Sequence, residues 1–597
     1  MKPIVLHSIL IIFALTVMTS AQNPKLLKDI RPGITSCELK VGEIKNNTYY
    51  FGANNGTNGI ELWQTDGTTN NTYMLKDVYS GSNPGVYNFA QVSYHNGISL
   101  PLYFAGNNGS AGIELFKTDG TAGGTVRVKD IFLGKTNHSQ PFAFTELNGI
   151  TYFRAIIASN KVPGSKPAVY ISDVQLMRTD GTSTGTYLVK DLAPTGLWGT
   201  WPSDLYVFNN NLYFFGNVDG YGFSRFCRSD GTASGTYMLY NAGQLDYNRY
   251  SRMIDINSNL YFRMEDGTNG YELWISDGTP GGTSMLKNVH PTGNSEPAFL
   301  VNLNGTLFFT ADNGSNGTEL WKSDGTSAGT VMVKDINPGS GSSTPAWLTP
   351  FNNVLDFTAV GPDPNNLNEP PTRQLWQSDG SAAGTILVKI INPSGDCEPL
   401  YTQSPDAYYW DNKFPVINGK MYLRATDGSN GVELWETDGS ASGTTMIKDI
   451  NLGSVASFPH NMRVLNGKLI FEATHATYGE EPWVYNPADP ISKDGGEQVL
   501  ASPTGIELNQ NFPNPFGAGS VFGYASTSIR YSLPENATVT LRMFDVLGNA
   551  VATLVDWAVA AGEHQLLFDS KSLPGGNYIL RLEALGTVRT RIITLIK

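Results

Sequence analysis

Short runs in which apolar and polar residues alternate, separated by Asn-Gly and Asp-Gly dipeptides, fill residues 26–485 and predict antiparallel strands joined by tight turns. Residues 299–336 give the pattern cleanly. A strand over 299–303 leads through Asn304-Gly305 to a strand over 306–310, a loop over 312–317, a strand over 319–323, a turn at Asp324 and a strand over 330–336. Asn-Gly supplies the positive φ of a type I′ hairpin and recurs at Asn96, Asn148, Asn418 and Asn466. In the third strand Leu320 and Trp321 are adjacent and must point to opposite faces, as must Leu62 with Trp63 and Leu434 with Trp435. Both faces of each sheet are therefore expected to be covered, which fits sheets stacked radially. The Trp, replaced by Phe116, Met177 or Phe226, reads as a packing residue between sheets.

The unit repeats as Glu-Leu-Trp-x-Ser/Thr-Asp-Gly-Thr/Ser-x-x-Gly-Thr-x-x-Val-Lys-Asp-Ile. Its turn aspartates are Asp66, Asp119, Asp180, Asp230, Asp277, Asp324, Asp379 and Asp438, spaced 53, 61, 50, 47, 47, 55 and 59 residues apart. Four short strands at that period predict an all-β, multi-bladed propeller. Residues 26–30 repeat the last strand of the unit without a preceding Glu-Leu-Trp, and 481–485 repeat the third strand with nothing after it. Pairing the two would complete a ninth unit and close a ring with no free sheet edge. In the Asp turn the carboxylate is expected to accept backbone N–H groups, and both glycines to take left-handed conformations. Asn71 replaces the second glycine, and Ser381 and Ser440 keep the hydroxyl of the Thr. Eight copies in one structural position favour turn architecture over a calcium or catalytic role.

Alternate connections fall on opposite rims of such a ring. The Asn-Gly and Asp-Gly turns share a uniform rim, and the insertions at 156–174, 193–203, 241–252, 361–373 and 392–413 share the other. That irregular rim carries Trp198, Trp201, Tyr247, Tyr250, Tyr401, Tyr408, Tyr409 and Trp410, which either form a binding surface or pack over the blade ends. The loops at Asn54-Asn55-Gly56, Glu265-Asp266-Gly267, Asp312-Asn313-Gly314 and Thr426-Asp427-Gly428 lie there too. Calcium is a candidate for them, and isolated Asx turns are the commoner use of such sequences. No other cofactor is expected.

Composition narrows the partners. A net charge of -13 argues against nucleic acid. Lys2, an apolar stretch over 4–17 and Thr19-Ser20-Ala21 predict a signal peptide over 1–21, and no later segment is apolar enough to span a membrane. The three cysteines after it, Cys37, Cys227 and Cys397, allow at most one disulfide, and Cys227 reads as a buried thiol in a strand. None of the seven histidines has metal-ligand spacing, so no metal site is expected.

After the propeller, 22–486, a Pro- and Gly-rich linker over 487–504 leads to a domain over 505–597, whose short alternating strands predict an immunoglobulin-like sandwich. It contains Leu508-x-Gln510-Asn511-Phe512-Pro513-Asn514-Pro515-Phe516, Thr527-x-Ile529-x-Tyr531, Val539-x-Leu541-x-Met543-Phe544-Asp545-x-x-Gly548 and Leu573-Pro574-x-Gly576-x-Tyr578, and ends in Lys597. These elements closely resemble the type A C-terminal sorting domain of the type IX secretion system of Bacteroidota. The segment 517–525 is longer and richer in Gly than the usual connection. The propeller is similar to the ELWxxDGT repeat family of bacterial surface proteins. The resemblance implies passage through the periplasm, recognition by the type IX machinery, and a product released or attached to cell-surface glycolipid.

The expected function is thus an exported, non-catalytic surface or secreted protein that binds a glycan or protein at its irregular rim. The competing expectation is a secreted propeller glycoside hydrolase or lyase. Its two carboxylates would come from Glu369, Asp396, Glu398, Asp406 and Asp411.

Overall fold

The computed structural model describes residues 24–89, 101–162, 170–194, 199–218, 224–245, 253–364, 366, 369–398, 413–488, 505–509, 511, 514–516, 526–559, 562–569 and 573–597. The expected signal peptide and nearly all of the linker lie outside them. The chain divides into two compact units, 21–490 and 491–597. Among the described residues every regular element is a strand, and no helix is long and apolar enough to cross a membrane.

The larger unit contains nine four-stranded antiparallel sheets. Eight are continuous in sequence, at 40–76, 86–129, 142–188, 203–245, 254–287, 298–334, 346–389 and 416–448, and are called blades 1 to 8. Blade 9 takes three strands from the end of the unit, His460–Leu465, Lys468–His475 and Gly479–Tyr485, and its fourth, Lys25–Leu26, from the beginning. The register pairs Lys25 with Val484 and Leu26 with Trp483, and the Leu27 N–H donates to the Pro482 carbonyl at 2.9 Å. The first strands of neighbouring blades touch, 40–45 against 86–89 and 298–303 against 346–351, so they form the inner layer of a β-propeller.

The blades are joined by a repeated lysine contact. In five blades the Lys at the end of the last strand reaches across to a backbone carbonyl before the last strand of the next blade: Lys129 to Thr186 at 2.5 Å, Lys190 to Thr236 at 2.7 Å, Lys287 to Thr330 at 2.6 Å, Lys334 to Thr385 at 2.7 Å and Lys389 to Thr444 at 2.5 Å. Across the closure, the Lys468 Nζ donates to the Gly67 carbonyl of blade 1 at 3.2 Å. Both faces of the third strands are buried as the sequence pattern requires, Leu320 fully and Trp321 nearly so. In blade 4 the register corrects the reading of Phe226. Cys227 faces Phe214 where Trp63 faces Phe51, so Cys227 holds the Trp position. Phe226 fills the Leu position, stacked 4.5 Å from Phe262 of blade 5. All three cysteines are buried and unpaired.

The Asp turn uses its residues as hydrogen-bonding parts, with one glycine serving a purpose other than the expected one. In blade 6 Asp324 Oδ1 accepts the N–H and hydroxyl of Thr326 at 2.9 and 2.7 Å, and the Thr326 hydroxyl accepts the Gly329 N–H at 2.9 Å. Ser323 and Thr330 hydroxyls meet at 2.8 Å across the base of the turn, and an equivalent pair recurs in the other seven copies. The first glycine has φ between 86° and 92° in all eight turns, as expected. The second does not: at Gly124, Gly185, Gly235, Gly282, Gly329, Gly384 and Gly443 an added Cβ would overlap the Asp carboxylate. Close approach, not a left-handed backbone, selects glycine there. Asn71 occupies this site with its Nδ2 donating to Asp66 Oδ2 at 2.6 Å.

The smaller unit is a β-sandwich. One sheet orders Glu507–Leu508, Ser526–Leu533 and Gly562–Asp569, and the other orders Ala550–Val559, Ala537–Phe544, Gly576–Ala584 and Thr587–Leu595. Ile529, Tyr531, Leu541, Met543, Leu580 and Leu582 fill the space between them.

Candidate functional site

In the six blades that keep it, the Glu of Glu-Leu-Trp is fully buried, and its role follows from its neighbours. Fully buried beside Leu320, Glu319 accepts the N–H groups of Ile336 and Ser343 at 3.0 and 2.9 Å and the Ser343 hydroxyl at 2.5 Å. Glu433 does the same for Ile450 and Ser457, and Glu272 for Val289 and Ser295. Each carboxylate thereby pins the connection that carries the chain to the next blade. At the ring closure Glu481 takes the N–H groups of Ile30 and Arg31 at 2.9 and 3.2 Å, so the same clamp is made by residues about 450 positions apart. Blade 7 has Gln374 instead, whose Oε1 accepts Ile391 and Asn392 N–H groups while its Nε2 donates to the Asn392 and Gly395 carbonyls.

One blade departs from this repetition. In blade 9 His460 opens the first strand, Glu472 lies opposite it on the second, and Glu480 stands on the third, two residues before the partner of Glu472. Side chains two apart on a strand share a face, and the three meet beside the ring closure at the irregular rim. His460 Nε2 is 3.3 Å from Glu472 Oε2 and 3.2 Å from Glu480 Oε1. Its Nδ1 lies 2.8 Å from the Phe458 carbonyl, which only accepts, so Nδ1 carries a proton. The Ser36 hydroxyl donates to Glu480 Oε2 at 3.1 Å, and the Cys37 N–H to the Glu480 carbonyl at 3.2 Å. Glu472 also lines a narrow crevice between blades 9 and 1, with Leu39, Tyr49, Asn461, Ile470 and Pro482. The sequence conceals this cluster because its members stand 12 and 8 residues apart, on three different strands.

The expected rim is placed in part. Trp201 is half-buried, with its backbone N–H donated to the Val174 carbonyl at 2.9 Å. Trp198, Tyr247, Tyr250, Tyr401, Tyr408, Tyr409 and Trp410 lie outside the described residues. The insertion at 156–174 is in part a prolonged hairpin, Ile150–Lys161 and Tyr170–Thr179. Among the candidate catalytic carboxylates, Glu398 is buried and ion-paired with Arg424 at 3.3 Å, and Asp396 accepts the Arg373 N–H at 2.6 Å. Glu369 is exposed, and Asp406 and Asp411 are outside the described residues. In the loops considered for calcium the side-chain oxygens turn onto their own backbone. Asp266 Oδ1 accepts the N–H groups of Thr268 and Asn269, both at 2.8 Å, and Asp427 and Asn313 act alike.

The motif residues of the sandwich hold its ends together. The Asn511 amide donates to the Thr527 hydroxyl at 2.9 Å, and Asn514 Oδ1 accepts the Thr594 N–H at 2.8 Å. After Pro515, buried Phe516 bridges the last strand through the Thr594 carbonyl at 3.0 Å and the Ile596 N–H at 2.7 Å. Asp545 Oδ1 caps a turn by accepting the Leu547 and Asn549 N–H groups, and Gly548 supplies φ of 85°. Gly576 opens the strand in which the Tyr578 hydroxyl donates to the Pro574 carbonyl at 2.6 Å, a contact that fixes a sandwich corner. Lys597 is exposed, and Pro513 lies outside the described residues.

No family model matches the chain, and no curated protein is similar to it. Among solved structures it is similar to a puromycin hydrolase, with 11% identity and a TM-score of 0.31, over 73% of this chain and 58% of that one. The chain thus spans less than two thirds of that protein. It is similar also to PorZ, a bacterial surface component of the type IX secretion system of Porphyromonas gingivalis, with 12% identity and a TM-score of 0.27, over 93% of this chain and 75% of that one. An α-L-arabinofuranosidase from Clostridium thermocellum matches with 16% identity and a TM-score of 0.20, over 52% of this chain and 94% of that one.

Proposed function

We propose that the chain is an exported, non-catalytic binding protein that presents the irregular rim of its propeller to a glycan or a protein at the cell surface, with the C-terminal sandwich as its address for type IX secretion. The observation that carries the reading is the contrast between the rims. Eight Asp turns with one hydrogen-bond pattern make one rim uniform, while the connections at 188–203, 245–254, 361–372 and 389–416 give the other its varied lengths. Variable loops on a rigid scaffold are the usual material of recognition. The engagement of Asp396 and Glu398 in backbone and ion-pair contacts supports the non-catalytic half of the reading.

Replacing Trp198, Tyr408, Tyr409 and Trp410 together by Ala is expected to lower binding on a glycan and surface-protein array at least about tenfold, the loss of a few aromatic anchors. Unchanged binding would reject the rim, and new reducing ends released from a polysaccharide would put a glycoside hydrolase or lyase in its place. For the address, a chain ending at Thr504 should accumulate in the periplasm. Its appearance in the medium at the parent's level would refute the sorting role.

A further inference from the structure

We propose that His460, Glu472 and Glu480 form a binding site for a divalent transition cation of the zinc class, with one position left open to water. Around zinc, bonds of about 2.0–2.1 Å at tetrahedral angles place neighbouring ligand atoms about 3.3 Å apart. His460 Nε2 stands 3.3 Å from one carboxylate oxygen and 3.2 Å from the other, and the three ligand atoms lie within 4.8 Å of one another. The imidazole is held as a metal site requires: the Phe458 carbonyl fixes the proton on Nδ1 and leaves Nε2 as the donor atom. The Ser36 hydroxyl on the second oxygen of Glu480 orients that carboxylate in the same way. His460 and Glu480 keep about a third of their side-chain surface exposed, so a cation reaches the cluster from solvent.

The cluster does not belong to the repeated architecture. Where blade 9 has His460, Glu472 and Glu480, blade 1 has Lys40, Gly52 and Ile60, blade 6 has Ala298, Thr310 and Thr318, and blade 7 has Ala346, Thr358 and Arg373. A role in the repeated architecture would recur from blade to blade, as the turn aspartates recur in eight, and this set does not recur in the blades compared. The imidazole selects the cation, since calcium and magnesium favour six or more oxygen ligands.

The test is calorimetric titration of the untagged mature chain, stripped with a chelator, against ZnCl2 and separately CaCl2. One equivalent of zinc is expected, with calcium failing to compete. His460→Ala and Glu480→Gln should each weaken zinc binding by more than tenfold, and Ser36→Ala by about tenfold. His475→Ala, in the same blade, should bind as the parent does. Glu480→Gln is nearly isosteric and decides the question if His460→Ala does not fold. A parent without saturable zinc binding, as expected for an imidazolium merely bridging two carboxylates, or a Glu480→Gln variant with parental affinity, would overturn the site.

Discussion

A chain lacking residues 24–31 is expected to unfold at markedly lower urea concentration than the parent and to aggregate on concentration. The deletion removes the outer strand of blade 9 and exposes the edge of Gly479–Tyr485, whose unpaired N–H and C=O groups become a template for another chain. It also withdraws Leu27 and Ile30, which are 0% and 4% exposed, and both N–H donors from buried Glu481. Leu27→Ala isolates the packing part and should cost about 3 kcal/mol, within the range for a buried leucine. Tryptophan fluorescence in urea and light scattering read the two effects. A deleted chain that stays monomeric and melts with the parent would show that the ring does not depend on its closure.

The second large effect is expected at the buried glutamates. Glu319→Ala leaves the Ile336 and Ser343 N–H groups without their acceptor and should cost about 3 kcal/mol, one to three for each orphaned donor. Glu319→Gln should cost much less, because Gln374 already performs the task in blade 7. Burial outweighs the N–H donors and pushes Glu61 up to about 8, and Glu319 and Glu481 up to about 7, from an ordinary 4.5. The folded chain then holds protons that the unfolded chain has released. These groups contribute fully to stability below pH 4.5, and their contribution is lost as the pH rises through 7 to 8. The thermal midpoint of the propeller should fall between pH 5 and 8, and Glu319→Gln should reduce the slope. A midpoint that rises over that window would contradict the assignment.

The blades, their turns and the closure were legible because each depends on local residue chemistry repeated many times. Asn-Gly, Asp-Gly and an adjacent Leu-Trp pair can satisfy few backbones, and the unmatched ends at 26–30 and 481–485 complement each other. What escaped was set by register or by contact across strands. The reason for the second glycine of the Asp turn was misread because the carboxylate that excludes a Cβ folds back over it. The glutamate clamp had a signal, an acid beside large apolar residues whose only isosteric replacements are Gln175 and Gln374. That pattern marks a position needing acceptor oxygens more than charge. His460, Glu472 and Glu480 had no such signal, since antiparallel pairing alone brings them together.

The strand at 25–26 finds its partner only in residues 483–484. The clasp of the ring therefore cannot fasten until nearly the whole propeller has been synthesised, and each earlier intermediate keeps the strand at 25–26 without its sheet. Joining ends so distant costs little more than joining nearer ones, since the entropic penalty grows only with the logarithm of the separation, and the intervening blades have already drawn the ends together. Under the export proposed above such an order has a use: the amino end stays unlocked for the journey, and the last stitch is made on arrival.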